Sequence, residues 1–91
     1  MIKPIVNKKK TTVLPPEKCF WVCDGQVLKN LQELKVALES MTENVFRHHV
    51  NGLKNDFAKW TSEILDEKFL AGQMKRLKTA KGMAQRIKSK I

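Results

Sequence analysis

Residues that begin helices recur along this chain at intervals too short for any long helix. Asn30 precedes Glu33 by three residues, and Ser40 precedes Glu43 by three, which is the spacing of a capping box. Further start signals follow at Asn55 or Asp56, at Asp66 and at Thr79. The sequence therefore predicts about five short helices after residue 30.

Each predicted helix has apolar residues at helical spacing, so each has one face to bury. We expect the second helix to end at a left-handed Gly52. The predicted inner faces are Leu31, Leu34 and Leu38; Val45, Phe46, His49 and Val50; Phe57, Trp60, Ile64 and Leu65; Phe69, Leu70, Met74 and Leu77; and Met83, Ile87 and Ile91.

A β-hairpin is predicted before the first helix. The β-forming run over residues 19–23 and a second run over residues 26–28 flank Asp24-Gly25. A type I′ turn at this dipeptide needs positive φ at both residues. The fold class that we predict is mainly α: a small helical domain with an N-terminal hairpin and basic terminal arms.

Length and composition limit the chain to one domain. It has 91 residues, of which 42% are hydrophobic and 30% charged, which is typical of a globular protein. The sequence contains no apolar run near the roughly 18 residues of a membrane span and no secretory signal pattern. We therefore expect a cytoplasmic protein without a membrane partner.

The net charge of +9 is concentrated at the two ends. Residues 1–16, predicted as an extended arm, carry four lysines and no acid, and residues 71–91, predicted as a basic amphipathic segment, carry seven bases and no acid. Residues 17–91 form the predicted single domain. This asymmetry favours a polyanionic partner. The candidate nucleic-acid-binding residues are Lys3, Lys8, Lys9, Lys10, Lys75, Arg76, Lys78, Lys81, Arg86, Lys88 and Lys90.

A zinc site from Cys19, Cys23, His48 and His49 is not expected. Residues four apart in a strand lie about 13 Å apart, too far for two thiolates that each bind zinc at about 2.3 Å. We therefore predict no bound metal and no other cofactor. A buried His49 bonded to the carboxylate of Asp56 is the structural role that we expect for this histidine, with Phe57 and Trp60 in the core beside it.

No catalytic residues are predicted. The sequence has no nucleophile elbow and no glycine-rich phosphate loop, so we expect neither an enzyme nor a small-molecule substrate. A helix-turn-helix that reads bases is also disfavoured, because the third helix has acids at Asp56 and Glu63 that phosphates repel. Trp21, on the strand face opposite Phe20, is the one aromatic residue that we expect to be able to stack on a base.

The motifs Phe46-x-x-His49 and Asn55-Asp56-Phe57-Ala58-x-Trp60 resemble a small prokaryotic, archaeal-type domain family of unknown function. The resemblance covers roughly residues 19–90 and leaves out the N-terminal arm. It implies a domain boundary and no activity.

Together these observations predict a small nucleic-acid-associated protein that binds phosphate backbones, with RNA in a ribonucleoprotein favoured over DNA. Extended basic arms that become ordered on RNA are the reason for that preference. The alternative is a protein-interaction module whose basic tails contact an acidic partner.

Deletion of residues 1–12 tests the arm. Each phosphate contact that is lost flattens the dependence of log affinity on log salt by about 0.7–0.9, so we expect a slope reduced by about two to three for labelled RNA in fluorescence anisotropy. The helical circular dichroism spectrum should not change, because the arm contributes no core. An unchanged slope would mean that the arm does not contact phosphates.

Overall fold

A computed structural model describes residues 14–91 of the chain. The predicted contacts of Lys3, Lys8, Lys9 and Lys10, and most of the predicted arm over residues 1–16, lie outside the described residues.

Helices dominate the described chain. A single 3-10 turn, Pro16–Lys18, leads into an antiparallel hairpin of β1, Phe20–Trp21, and β2, Val27–Leu28, with Phe20 opposite Leu28. The helices are α1, Leu31–Ser40; α2, Glu43–His49; α3, Asp56–Glu63; α4, Lys68–Met74; and α5, Ala80–Lys90. The predicted mainly helical class with an N-terminal hairpin is confirmed. Within residues 14–91, no helix is both long enough and apolar enough to cross a lipid bilayer.

Three helices start where the polar residues predict. The Asn30 side chain accepts a hydrogen bond from the Glu33 N–H, and the Glu33 carboxylate accepts one from the Lys29 N–H, so two free donors of α1 are satisfied. Asn55, rather than Asp56, caps α3 by accepting from the Ala58 N–H at 3.0 Å. Thr79 caps α5 by accepting from the Gly82 N–H at 3.0 Å.

Two predicted caps were wrong. Ser40 is the last residue of α1, and Thr42 caps α2 instead by accepting from the Val45 N–H at 3.3 Å. Asp66 does not cap α4 but has a φ of 58°, a left-handed conformation that aspartate tolerates better than most residues. It turns the chain between α3 and α4.

The predicted left-handed end of α2 at Gly52 was also wrong. Gly25 is the only glycine with positive φ in residues 14–91. The end of α2 is satisfied by a side chain instead, because Asn51 Nδ2 donates to the Arg47 carbonyl at 3.0 Å.

The hairpin turn differs from the predicted type I′ turn. Only Gly25 has positive φ, at 103°, whereas Asp24 does not. Val22 N–H donates to the Gln26 carbonyl at 2.8 Å, and Gly25 N–H donates to the Val22 carbonyl at 2.9 Å. Such a three-residue loop needs a left-handed conformation only at its last residue. Cys23 is therefore the first loop residue and not part of a strand.

The basic segment over residues 71–91 is part of the core and not an arm. Helix α5 packs against α1 and α4, and α3 packs against α4. Met83, Ala84 and Ile87 are buried, so the predicted amphipathic pattern is correct while the description of this end as an arm is not. Phe69, predicted on the inner face of α4, is 82% exposed.

Aromatic rings connect the hairpin to the helices. The Phe20 ring centroid lies 4.9 Å from that of Phe57 and 5.7 Å from that of Trp60. Trp60 is only 6% exposed, and its Nε1–H donates to the Lys18 carbonyl at 2.8 Å. The indole therefore holds the entry to the hairpin against α3.

The substitution Trp60→Ala should lower the free energy of unfolding by about 3–5 kcal/mol, because it leaves a cavity and removes the partner of the Lys18 carbonyl. Chemical denaturation followed by circular dichroism measures this change. Trp21→Ala is the matched control: Trp21 is 63% exposed, so we expect a loss below about 1 kcal/mol. Equal losses in the two variants would contradict the assignment of Trp60 to the core.

Candidate functional site

His49 joins three elements at the end of α2. Its Nδ1 lies 2.9 Å from Asp56 Oδ2 at the start of α3, and its Nε2 accepts the backbone N–H of Cys23 in the hairpin loop at 3.1 Å. This pattern places the ring proton on Nδ1, which donates to the carboxylate. The ring also meets Phe20 edge-on, with centroids 5.1 Å apart. The expected bond between His49 and Asp56 is thus present in the fold.

Asp56 receives two partners at one oxygen. Oδ2 accepts from His49 Nδ1 and from Lys54 Nζ, the latter at 3.0 Å. Partial burial raises the pKa of Asp56, but the hydrogen bonds from His49 and Lys54 outweigh it, so this pKa lies below its ordinary value. Asp56 is therefore a carboxylate at neutral pH.

A basic cavity of about 340 Å³ opens next to this junction, between the α2–α3 loop and the α4–α5 connection. The Asn55 side chain bridges the two walls, because its Nδ2 donates to the Met74 carbonyl at 3.3 Å. Among the described residues, no acid lines this cavity. Its basic lining residues are Arg47, Lys54, Lys75 and Lys78.

The four bases of the cavity differ in what they already bind. Arg47 is paired with Glu43 at 2.6 Å, and Lys54 with Asp56 at 3.0 Å. Lys75 and Lys78 are exposed and form no ion pair with any of residues 14–91. These two lysines are the cations of the cavity that are open to an anionic ligand.

The remaining bases of the C-terminal segment do not form one surface. Helical geometry of about 100° per residue puts Lys81 and Lys88 on one edge of α5, and Arg86 and Lys90 on the other. Lys90 pairs with Glu67 at 3.3 Å. The structure therefore brings Lys75 and Lys78 together, while it separates the two edges of α5. Arg76 is exposed but does not line the cavity.

Sequence reasoning missed two residues of this cavity. Arg47 and Lys54 belong to the acidic middle of the chain, so no charge run marks them. They reach Lys75 and Lys78 only because the α2–α3 loop folds against the end of α4. No signal in the sequence indicates that contact.

Three metal-ligating side chains converge on the other side of His49. The ligand atoms of Cys23, His48 and His49 all lie within 4.8 Å of one another. Cys19 is not part of the group: its Sγ contacts the carbonyls of Leu14 and Pro15. The argument against zinc assumed that Cys23 lies in a strand with Cys19, and the hairpin loop removes that assumption for Cys23.

Comparison with known proteins gives no relative, since no protein-family model, no curated protein and no solved structure matches the chain. The resemblance to an archaeal-type family stays a prediction. The residues that carry it include His49, Asp56 and Trp60, all of which lie at the junction described above.

The substitution Asp56→Asn tests the charge at this junction. Because the folded-state pKa of Asp56 lies below its unfolded value of about 4, its contribution to stability is present above that pH and is lost as pH falls through the folded pKa. Asparagine keeps an acceptor for His49 but loses the stronger charge-assisted bonds. We expect a loss of about 1 kcal/mol above pH 5 that shrinks below about pH 4.

Urea denaturation at a series of pH values measures this difference. Asp66→Asn is the matched control, because Asp66 is exposed and asparagine also tolerates its left-handed backbone. A cost for Asp56→Asn that is the same at pH 3 and pH 7 would contradict the role of the carboxylate charge.

Proposed function

We propose that this protein binds the phosphate backbone of nucleic acid without base specificity, with RNA favoured over DNA and a larger ribonucleoprotein in the cytoplasm as its setting. The observation that carries the proposal is the basic cavity with its two open lysines, Lys75 and Lys78. Free thiols at both cysteines suit a reducing compartment.

The cavity has the chemistry that a phosphate group needs. Lys75 and Lys78 supply positive charge from one wall, and Lys54 adds a third ammonium group whose charge is shared with Asp56. Each lysine that neutralises a phosphate releases condensed counterions, which is the main source of affinity in sequence-independent binding. Lysine contacts of this kind position a backbone without reading bases.

The preference for RNA rests on how bases could be reached. Helix α3 places Asp56 and Glu63 where a major-groove helix would meet phosphates, which disfavours reading of duplex DNA. Trp21, 63% exposed on the hairpin, offers a ring on which an unpaired base can stack. Single-stranded RNA is the nucleic acid whose bases are open to such contacts.

A protein-interaction module is the second candidate. Phe69 and Leu53 are exposed by 82% and 96%, and large exposed apolar side chains are common at protein interfaces. On this alternative the basic residues contact an acidic protein, and the apolar residues supply the affinity.

The double substitution Lys75→Gln and Lys78→Gln tests the proposal. In fluorescence anisotropy with a labelled single-stranded RNA, the affinity of the unmodified chain should fall by at least about a hundredfold between 50 and 200 mM salt. The double variant should bind more weakly and should flatten the slope of log affinity against log salt by about 1.4–1.8, the value for two lost contacts.

The control variant carries Lys18→Gln and Lys68→Gln, which remove the same charge from residues that do not line the cavity. We expect its salt slope to stay close to that of the unmodified chain. An equal effect of both double variants would show that net charge alone drives binding. Binding to RNA that ignores salt would favour the protein-interaction module.

A further inference from the structure

We propose that Cys23, His48 and His49 form a zinc site with three protein ligands and an open fourth position. Their ligand atoms lie within 4.8 Å of one another. A zinc ion that binds a thiolate at about 2.3 Å and imidazole nitrogens at about 2.0–2.1 Å keeps its ligands less than about 4.5 Å apart. Small side-chain rotations are therefore enough to close the site.

The hairpin loop and the end of α2 bring the ligands together. Cys23 is the first residue of the three-residue loop, and its N–H is bonded to His49 Nε2 at 3.1 Å. Neighbouring residues on a helix point about 100° apart, yet the His48 and His49 rings lie 4.7 Å apart at 82°. The two imidazoles thus flank the thiol that the loop presents.

His49 has the orientation of a metal-bound histidine. A histidine that binds metal through one ring nitrogen usually donates its other N–H to a carboxylate, which fixes the ring and raises its basicity. Asp56 is that carboxylate, 2.9 Å from His49 Nδ1, and Lys54 in turn holds the same oxygen. The remaining nitrogen, Nε2, is the one that faces the Cys23 loop.

Metal binding exchanges one hydrogen bond for one coordination bond. In the metal-free chain the lone pair of His49 Nε2 accepts the Cys23 N–H, and zinc would take that lone pair. The freed N–H belongs to an exposed loop residue, where water can accept it. The exchange therefore leaves no buried donor without a partner.

The donor set selects the metal. One thiolate and two imidazoles suit zinc or copper and do not suit magnesium or calcium, which prefer oxygen ligands. Cys23 and His48 are exposed, so solvent reaches the ion and water fills the fourth position. Residues 1–13 contain no cysteine, histidine or acid, so they supply no further ligand of these types.

Titration of the reduced, metal-free full-length chain with Co²⁺ tests the site, because Co²⁺ takes tetrahedral zinc sites and reports its ligands by absorption. We expect saturation at one equivalent, a thiolate-to-cobalt charge-transfer band in the near ultraviolet, and displacement of the Co²⁺ by Zn²⁺. Cys23→Ala should abolish the charge-transfer band. His48→Ala should weaken binding by at least about tenfold, the lower end of the loss for residues that only support a ligand.

Cys19→Ala is the matched control, since Cys19 is the other thiol and lies outside the group, and it should keep both the band and the affinity. Because Cys23 and His48 are exposed, their variants should retain the helical circular dichroism spectrum. A band that survives Cys23→Ala, an affinity unchanged in His48→Ala, or no saturable binding would overturn the proposal. Saturation at half an equivalent would also overturn it, since two chains would then share one ion.

Discussion

The hydrogen bonds of His49 hold together parts of this protein that the chain otherwise leaves apart. One ring nitrogen binds Asp56 in α3, and the other binds the backbone of Cys23 in the hairpin loop. The hairpin has only two residues in each strand, and such a hairpin is not stable alone in water. It is stable here because Phe20 packs on α3 and because His49 fixes its loop.

The same junction shapes both candidate sites. Lys54 reaches Asp56 from the α2–α3 loop, and that loop forms one wall of the basic cavity. On the opposite side, the Cys23 loop meets the His48 and His49 rings. One buried imidazole and its carboxylate therefore link a surface suited to phosphate with a group of ligands suited to zinc. The geometry of either site depends on the bonds that His49 makes.

Much of the helical architecture is local, which is why the sequence predicts it well. Asn30, Asn55 and Thr79 each bond to a backbone N–H three residues ahead, and such a bond needs no distant partner. The errors occurred where two local signals compete. Ser40 and Thr42 both precede a suitable first turn, and only the packing of α1 decides between them. Phe69 has helical spacing with the core of α4, yet it lies at 82% exposure.

The sequence by itself determined the number of helices, the apolar face of most of them, the place of the hairpin and the bond between His49 and Asp56, because these depend on spacings of three to seven residues. Only the tertiary structure decided which charges and ligands meet. Lys54 joins Lys75 and Lys78 across more than twenty residues, and Cys23 joins His49 across twenty-six. Such contacts depend on how whole helices pack, and no periodicity along a single segment encodes that arrangement.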